Sequence, residues 1–219
     1  MAVAAWLLVA ASLLFVSSVS ADSKNNPADK LVSVLNSNRT ASKLPALEDN
    51  PGLGCIALQY IKAYQGRCDE VGGSDAKKPS DAEFAQTFAP NCGVQVSTLR
   101  LITSRLLGCQ SEYVTASEAF SSILMRNERG LQILRSKNHT EVGAAVSGTD
   151  GGAPYFWCVL FSGGKSNNSF VLEGGEAKKQ HPGCFSGTND DCSGAHRHQI
   201  FGGALTIGIS VAVGLAFGL

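Results

Sequence analysis

Cysteine is the residue type with the most chemistry to offer in this sequence. No two cysteines have the Cys-x-x-Cys spacing of zinc ligands, so their number favours disulfide bonds in an exported protein over a zinc site. There are seven of them: Cys55, Cys68, Cys92, Cys109, Cys158, Cys184 and Cys192.

Histidine and carboxylate side chains offer little for catalysis. His139 lies inside a glycosylation sequon and His181 precedes a proline, and a lone surface histidine is usually a solvated side chain. Glu118 and Glu128 are most simply a helix cap and part of a solvated helix face. Neither a G-x-S-x-G elbow nor a phosphate-binding loop occurs. The sequence therefore predicts a protein that is not an enzyme, with no catalytic residue, cofactor or metal.

Three asparagines could carry glycans, at the N-x-S/T sequons of Asn38, Asn138 and Asn167. The last two lie in turn-like sequence and are expected to be occupied. Asn38 follows Leu31 by seven residues and is expected on the apolar stripe of a helix, so an empty sequon is at least as good an interpretation there.

The C-terminal sequence predicts a chain cut and transferred to a glycosylphosphatidylinositol (GPI) lipid. The run from Ile200 to Leu219 is uncharged, and as a helix it would span about 30 Å. Small residues and a polar spacer precede it, as in GPI signals. We expect Ser193 to be the acceptor, with Asn189 and Gly187 as alternatives. A retained membrane helix is the competing interpretation.

The N-terminal sequence agrees with export. Trp6 to Val19 is apolar and of signal-peptide length, and Val19-Ser20-Ala21 supplies small residues at the cleavage site. The predicted organisation is a signal peptide (1–21), an extracellular domain (22–173), a polar stalk (174–193) and a removed propeptide (194–219).

The position of lipid attachment determines which cysteines remain in the mature protein. Attachment before Cys192 would leave six disulfide candidates: Cys55, Cys68, Cys92, Cys109, Cys158 and Cys184. Attachment at Ser193 leaves one cysteine free or paired with another chain. Cys184 and Cys192 could also close a small loop.

Capping signals predict several helices and one hairpin, an α+β pattern. Asn-Pro pairs and capping boxes mark helix starts, and Val96 to Leu107 has helical apolar spacing. A turn-rich segment from Ser147 to Gly152 joins two strand-like runs. The helices begin at Asn26, Asn50, Ser80, Val96 and Thr115, and the strands are Glu141 to Val146 and Tyr155 to Phe161.

Several segments resemble the CAP superfamily of cysteine-rich secretory, antigen 5 and pathogenesis-related 1 proteins. The similarity runs from about Pro27 to Gly164 and is poor over Gly66 to Glu112, and it implies an α-β-α sandwich with a small antiparallel sheet. The stretch from His181 to Gly187 is similar to a group of plant GPI-anchored proteins with a degenerate CAP domain. The segments that carry the resemblance are Leu35 to Arg39, Leu44 to Leu47, Thr115 to Arg129, Thr140 to Gly143 and Tyr155 to Trp157.

The departures from the CAP pattern concern its metal-binding cluster of two histidines and two glutamates. Leu35 stands where the resemblance implies the first histidine, and Arg129 stands roughly where it implies the second. Glu112 is the nearest candidate for a glutamate. Because zinc needs at least three ligands and an arginine would repel the ion, we expect no metal.

Two classes of function fit these observations. The first is a non-catalytic surface module that binds a sterol, another apolar ligand or a surface protein, with Tyr155, Phe156 and Trp157 lining a groove or packing in the core. The second is a structural or adhesive cell-wall or surface component; a metal-dependent hydrolase is a third and weaker possibility. The whole chain has 18 basic and 18 acidic residues, and removal of the predicted propeptide takes away one basic residue, Arg197, which gives no case for binding nucleic acid or an anionic membrane.

The anchor makes a testable prediction. We expect a phosphatidylinositol-specific phospholipase to release the protein from intact cells, because the enzyme cuts the lipid and leaves the polypeptide whole. Release by detergent alone would contradict the GPI interpretation and favour a retained helix.

Overall fold

A computed structural model describes residues 25–72, 79, 81–96, 102–149, 152–163, 183–188 and 192. It has an α+β fold, in which helices cover both faces of a mixed sheet. The helices are α1 (Pro27–Ala41), α2 (Pro51–Lys62), α3 (Asp81–Phe88), α4 (Ala116–Glu118, followed by a π-helical turn, Ala119–Leu124) and α5 (Glu128–Arg135). The strands are β1 (Glu48–Asp49), β2 (Ile102–Gln110), β3 (Glu141–Thr149), β4 (Gly152–Ser162) and β5 (Cys184–Phe185).

Three helix starts confirm their capping predictions, and the cap predicted at Ser80 lies outside the described residues. The Asn26 side chain accepts hydrogen bonds from the amides of Ala28 and Asp29, and Asn50 does the same for the start of α2. The Thr115 hydroxyl accepts from the Glu118 amide. These oxygens satisfy amide groups that have no partner within the first helical turn, which fixes where each helix begins.

The predicted hairpin is the centre of the sheet. β3 and β4 are antiparallel, with Val142 opposite Phe161 and Val146 opposite Trp157. The strand order is β1-β3-β4-β2, in which β1 is parallel to β3 and β2 is antiparallel to β4. β5 pairs with β3 at Ala145 and Val146.

Alternation along the two central strands gives the sheet two apolar faces. Val142, Ala144 and Val146 face a core with α1, α4 and the π-helical turn. Ala145, Cys158 and Leu160 face a second core with α2 and α3. Both faces are buried, which explains why the β4 sequence is apolar almost without interruption.

The helix predicted over Val96 to Leu107 is wrong over Ile102 to Leu107. Residues from Ile102 onwards form strand β2, with Arg105 opposite Leu160 and Leu107 opposite Cys158. The apolar spacing suits either structure, and pairing with β4 decides in favour of the strand.

The predicted polar stalk is also wrong for residues 183–188, which pack on the domain. Cys184, Phe185 and Ser186 are buried, and the Asn26 side-chain amide donates to the Phe185 carbonyl at 2.9 Å. The glycines there allow close packing, because Gly183 has a φ of +120° and lies against Leu58 and Ser147.

The disulfides are Cys55–Cys92, Cys68–Cys109 and Cys184–Cys192. Cys158, proposed above as a disulfide candidate, is instead a free and buried thiol at the centre of β4. Burial raises the pKa of that thiol, which keeps it protonated and unreactive.

Helix α2 crosses β3 where Gly54 lies against Gly143. A substitution at this crossing would test how closely the two elements pack. A Cβ on Gly143 would overlap the backbone of Gly54 and Leu53. We expect Gly143→Ala to lower the free energy of unfolding by about 2–3 kcal/mol, since backbone must move to relieve the overlap. Chemical denaturation would measure the loss.

Gly163→Ala is the matched control. Its added Cβ would lie 3.0 Å from the nearest atom, the Asn138 carbonyl oxygen, at an exposed position, whereas a Cβ on Gly143 would overlap the Gly54 amide nitrogen. Equal stability of Gly143→Ala and the parent protein would contradict the close crossing.

Candidate functional site

Two adjoining depressions run along β2 and form the candidate site. Their volumes are about 340 Å³ and 210 Å³, and they share Arg105, Arg129 and Ile133. We call the combined feature the β2–α5 groove. It is open to solvent and is lined by polar atoms more than by apolar ones.

The floor of the groove is the outer edge of β2. Every residue from Ile102 to Leu107 lines one or both depressions. Because successive strand residues point to opposite faces, six consecutive lining residues mean that the groove follows the strand's edge. In the part of the chain that the structure describes, β2 has β4 as its one strand partner.

One wall of the groove is helix α5. Asn127 caps it by accepting from the Gly130 amide at 3.0 Å. Arg129, Ile133 and Ser136 follow at helical spacing and face the groove. The π-helical turn before α5 packs on β2 at Gly108, where a Cβ would overlap the Ile123 side chain.

The opposite wall contains Tyr60 and Tyr64, and the Arg105 side chain extends from the floor towards it. The Arg105 guanidinium carbon lies 4.7 Å from the centre of the Phe84 ring and 5.8 Å from that of Tyr60, a cation–π arrangement. Its Nη1 donates to the Pro79 carbonyl at 3.4 Å. The Tyr60 and Tyr64 hydroxyls are 3.0 Å apart, and burial raises the pKa of both phenols, which keeps them neutral.

The described lining of the groove is cationic, whereas the chain as a whole carries no net charge. Arg105 and Arg129 are its charged side chains, and no aspartate or glutamate is among the described lining residues. A guanidinium is well suited to carboxylate and phosphate groups, which it can bind through two parallel N–H donors.

His139 lies beneath this site and is buried, so its predicted role as a solvated surface side chain is wrong. Its Nδ1 is 2.9 Å from the Thr103 hydroxyl, and its ring stacks on Phe161 with centres 4.8 Å apart. Burial above all, and then the charge of Arg39, lowers the pKa of His139 to about 4, against a smaller opposing effect of the Ile133 carbonyl. The ring is neutral at physiological pH.

Arg39 is a buried residue that sequence analysis gave no separate role. Its guanidinium donates to the carbonyls of Pro45, Leu134 and Ser136, and it therefore fixes the C-terminal end of α5 to α1. The sequence feature that could have predicted its burial is its spacing, because Arg39 continues the buried row of Leu31 and Leu35 at intervals of four residues.

The aromatic residues that the sequence placed either in a ligand groove or in the core lie in the core. Tyr155, Phe156 and Trp157 are 6%, 2% and 0% exposed. Tyr155 and Trp157 contact the Tyr113 ring, whereas Phe156 packs towards Tyr64 on the other face of the sheet. None of the three lines the β2–α5 groove.

The positions implied by the CAP resemblance do not come together. Leu35 is buried in the core beneath α1, Arg129 lines the groove, and Glu112 is exposed beyond β2. Among residues 25–72, 79, 81–96, 102–149, 152–163, 183–188 and 192, no group of three or more His, Cys, Asp or Glu could hold a metal ion. Glu118 and Glu128 are exposed in the first turns of α4 and α5.

The modification sites have mixed outcomes. Asn38 is exposed and lies off the apolar stripe, contrary to expectation, because the buried row runs through Leu31, Leu35 and Arg39. Asn138 is exposed, and Gly187 belongs to the folded domain. Asn167, His181, Asn189 and Ser193 lie outside the described residues. No helix in the described ranges is long and apolar enough to cross a membrane.

Comparisons with known proteins give partial similarities of fold. No family model matches the sequence, and no curated protein matches it. A crystal structure of a cysteine-rich secretory protein from Staphylococcus aureus matches with a TM-score of 0.44 and 16% identity over 66% of this chain. An outer surface protein from Borrelia burgdorferi matches with a TM-score of 0.44 and 13% identity, covering 62% of this chain and 91% of that one. The chain spans 40% of the staphylococcal protein, and this similarity is too low to assign a family.

His139 makes a prediction about pH. Its folded-state pKa lies below the ordinary value of 6.5, so the stability it contributes is present above that pH and is lost as the pH falls towards 4. We expect the unfolding free energy of the parent protein, relative to His139→Gln, to rise by about 2–3 kcal/mol from pH 4 to pH 7. Denaturant titrations across that range would measure the difference.

Asp49 titrates in the same range with the opposite sign, and it is present in both proteins. Burial raises the pKa of its carboxyl to about 6, against the lowering effect of the Ser186 hydrogen bond. Its contribution therefore cancels in the comparison. Parallel pH profiles of the two proteins would contradict the buried, neutral state of His139.

Proposed function

We propose that this protein is a non-catalytic binding module on the outer face of the cell membrane, held there by a GPI lipid, whose β2–α5 groove binds an anionic ligand. The observation that carries the proposal is the charge of the groove. Its described lining contains two arginines and no carboxylate.

Export is supported by the cysteines and the sequons. Three disulfides join segments that lie 37, 41 and 8 residues apart, and such bonds persist in oxidising compartments. The exposure of Asn38 and Asn138 makes both sequons accessible to a glycan. The signal-like N-terminus is consistent with both.

The disulfide near the C-terminus favours Ser193 as the lipid acceptor. Attachment at Asn189 or Gly187 would remove Cys192 and leave Cys184 without its partner. Gly187 is also held by the domain, because its amide donates to an Asp29 carboxylate oxygen at 2.8 Å. Attachment at Ser193 keeps the disulfide intact.

A binding role is favoured over catalysis by the state of the side chains near the groove. The Thr103 hydroxyl lies 3.2 Å from the Phe161 carbonyl as well as beside His139. A histidine with a pKa of about 4 is a weak general base at neutral pH. Both side chains support β2 and β4, and the contacts give them a structural role.

The groove also favours an anion over a neutral sterol. Sterol sites are enclosed and mostly apolar, whereas this groove is open and mostly polar. The aromatic side chains that could have formed an apolar site are buried between helix and sheet.

The experiment compares charged with neutral probes on the full-length protein, made in a eukaryotic secretory host and placed in neutral phosphatidylcholine nanodiscs. Hexanoate is matched with hexanamide, and a glutamate-containing hexapeptide is matched with its glutamine counterpart. We expect the acids alone to bind, and Arg129→Gln to weaken their binding about tenfold, the effect of losing one charge-assisted hydrogen bond. Calorimetry would measure the affinities.

Arg135→Gln is the matched control, because Arg135 is an exposed arginine on the same helix outside the groove. Preference for the neutral probes, or equal weakening by the two substitutions, would remove the groove from the function. A well-folded protein that binds no probe would favour a structural or adhesive role instead.

A further inference from the structure

We infer that the ligand of the β2–α5 groove is an extended acidic peptide segment of another protein, which adds to the outer edge of β2 as a further strand. The inference rests on the proposed function, since it names the class of anion that the same groove binds. It follows from three features: the edge of β2, the placement of the two arginines, and the length of the groove.

The edge of β2 offers backbone hydrogen bonds in addition to side chains. A strand at the edge of a sheet presents unpaired N–H and C=O groups, to which an extended peptide can pair. Among the described residues β2 pairs on one side only, with β4. The irregularity in that pairing lies between Ile102 and Ser104, and from Ser104 to Gln110 the register is continuous. A regular strand edge therefore lies along the part of the groove from Ser104 to Leu107.

The two arginines lie on opposite sides of that edge. Arg105 points to the face covered by α2 and α3, where its guanidinium stacks on Phe84. Arg129 belongs to α5, and α5 packs on the other face. Alternate residues of an added strand point to alternate faces. One acidic residue can therefore approach Arg129 while an acidic residue an odd number of positions away approaches Arg105.

The length of the groove fits a short peptide. Six lining residues of β2, Ile102 to Leu107, extend about 20 Å at the rise of a strand, and the last four of them, Ser104 to Leu107, lie in the continuous register. A small carboxylate would fill one of the two depressions, each of which is lined by both arginines, and would leave most of this length and the edge of β2 unused. A sulfated glycan or nucleic acid would require a longer row of cations than the two arginines in the described lining.

Apolar side chains beside the arginines add a second requirement. The smaller of the two depressions, of about 210 Å³, is lined by Leu107, Val71 and Ile123, which are half-buried. They would contact the alkyl parts of the peptide next to its acidic residues. The structure therefore favours a segment in which two adjacent acidic residues are flanked by β-branched residues, such as Thr-Val-Glu-Glu-Val-Thr.

The test uses that labelled hexapeptide and the full-length protein in neutral nanodiscs, with fluorescence anisotropy as the measurement. Two variants of the peptide carry N-methyl groups, on the amides of odd positions in one and of even positions in the other. Only one set of amides can face β2 in a paired strand. We expect one variant to lose affinity by about tenfold or more and the other to bind like the parent peptide.

A second comparison changes the spacing of charge and leaves the composition unchanged. Thr-Glu-Val-Glu-Val-Thr places both carboxylates on one side of the strand, so it should bind several-fold more weakly than the parent. With this peptide one arginine is left without a carboxylate.

The outcomes separate the two proposals. If hexanoate and the acidic peptides bind through Arg129, but both N-methylated variants equal the parent, strand addition is wrong and the anionic groove stands. If hexanoate binds and the peptide does not, the ligand is a small anion and the inference is overturned. If no acid binds in an Arg129-dependent way, both proposals fall together.

Discussion

The fold depends on a hairpin, β3 and β4, that is buried on both faces. Val142, Val146 and Trp157 face one core while Ala145 and Leu160 face the other, so helices must cover both sides. One side of the hairpin is occupied by β1 and β5, and β2 takes the other. The strand order therefore leaves β2 at the edge of the sheet, where its outer side forms the floor of the groove.

The segment of residues 183–188 is held against the same sheet by polar groups. The Ser186 hydroxyl donates to Asp49 at 2.6 Å and accepts from the Ala144 amide at 2.9 Å. A carboxyl that is half-buried is less unfavourable when it is hydrogen-bonded, and Ser186 supplies that bond to Asp49. The segment that looks like a spacer in sequence thus completes the core, with Phe185 packed against the sheet.

The sequence predicted the features that depend on neighbouring residues, such as helix starts. It did not predict those that depend on contacts between distant residues. Asn26-Pro27, Asn50-Pro51 and Thr115 predicted three helix starts because a cap acts within one turn. The β2 strand was mistaken for a helix because its pairing with β4 crosses about fifty residues, and Arg105 was missed with it. His139 was misread for the same reason, since the ring that buries it, Phe161, comes from another strand.

The walls of the groove are fixed by buried polar contacts, and this bears on how it could bind. Arg39 ties the end of α5 to α1 through the Leu134 and Ser136 carbonyls, and His139 ties Thr103 to the sheet. Arg105 is oriented by its stack on Phe84. Side chains held before the ligand arrives lose little conformational entropy on binding. If the groove binds a ligand as proposed, its backbone and Arg105 are therefore in place beforehand, and the exposed Arg129 is the arginine that must still be ordered.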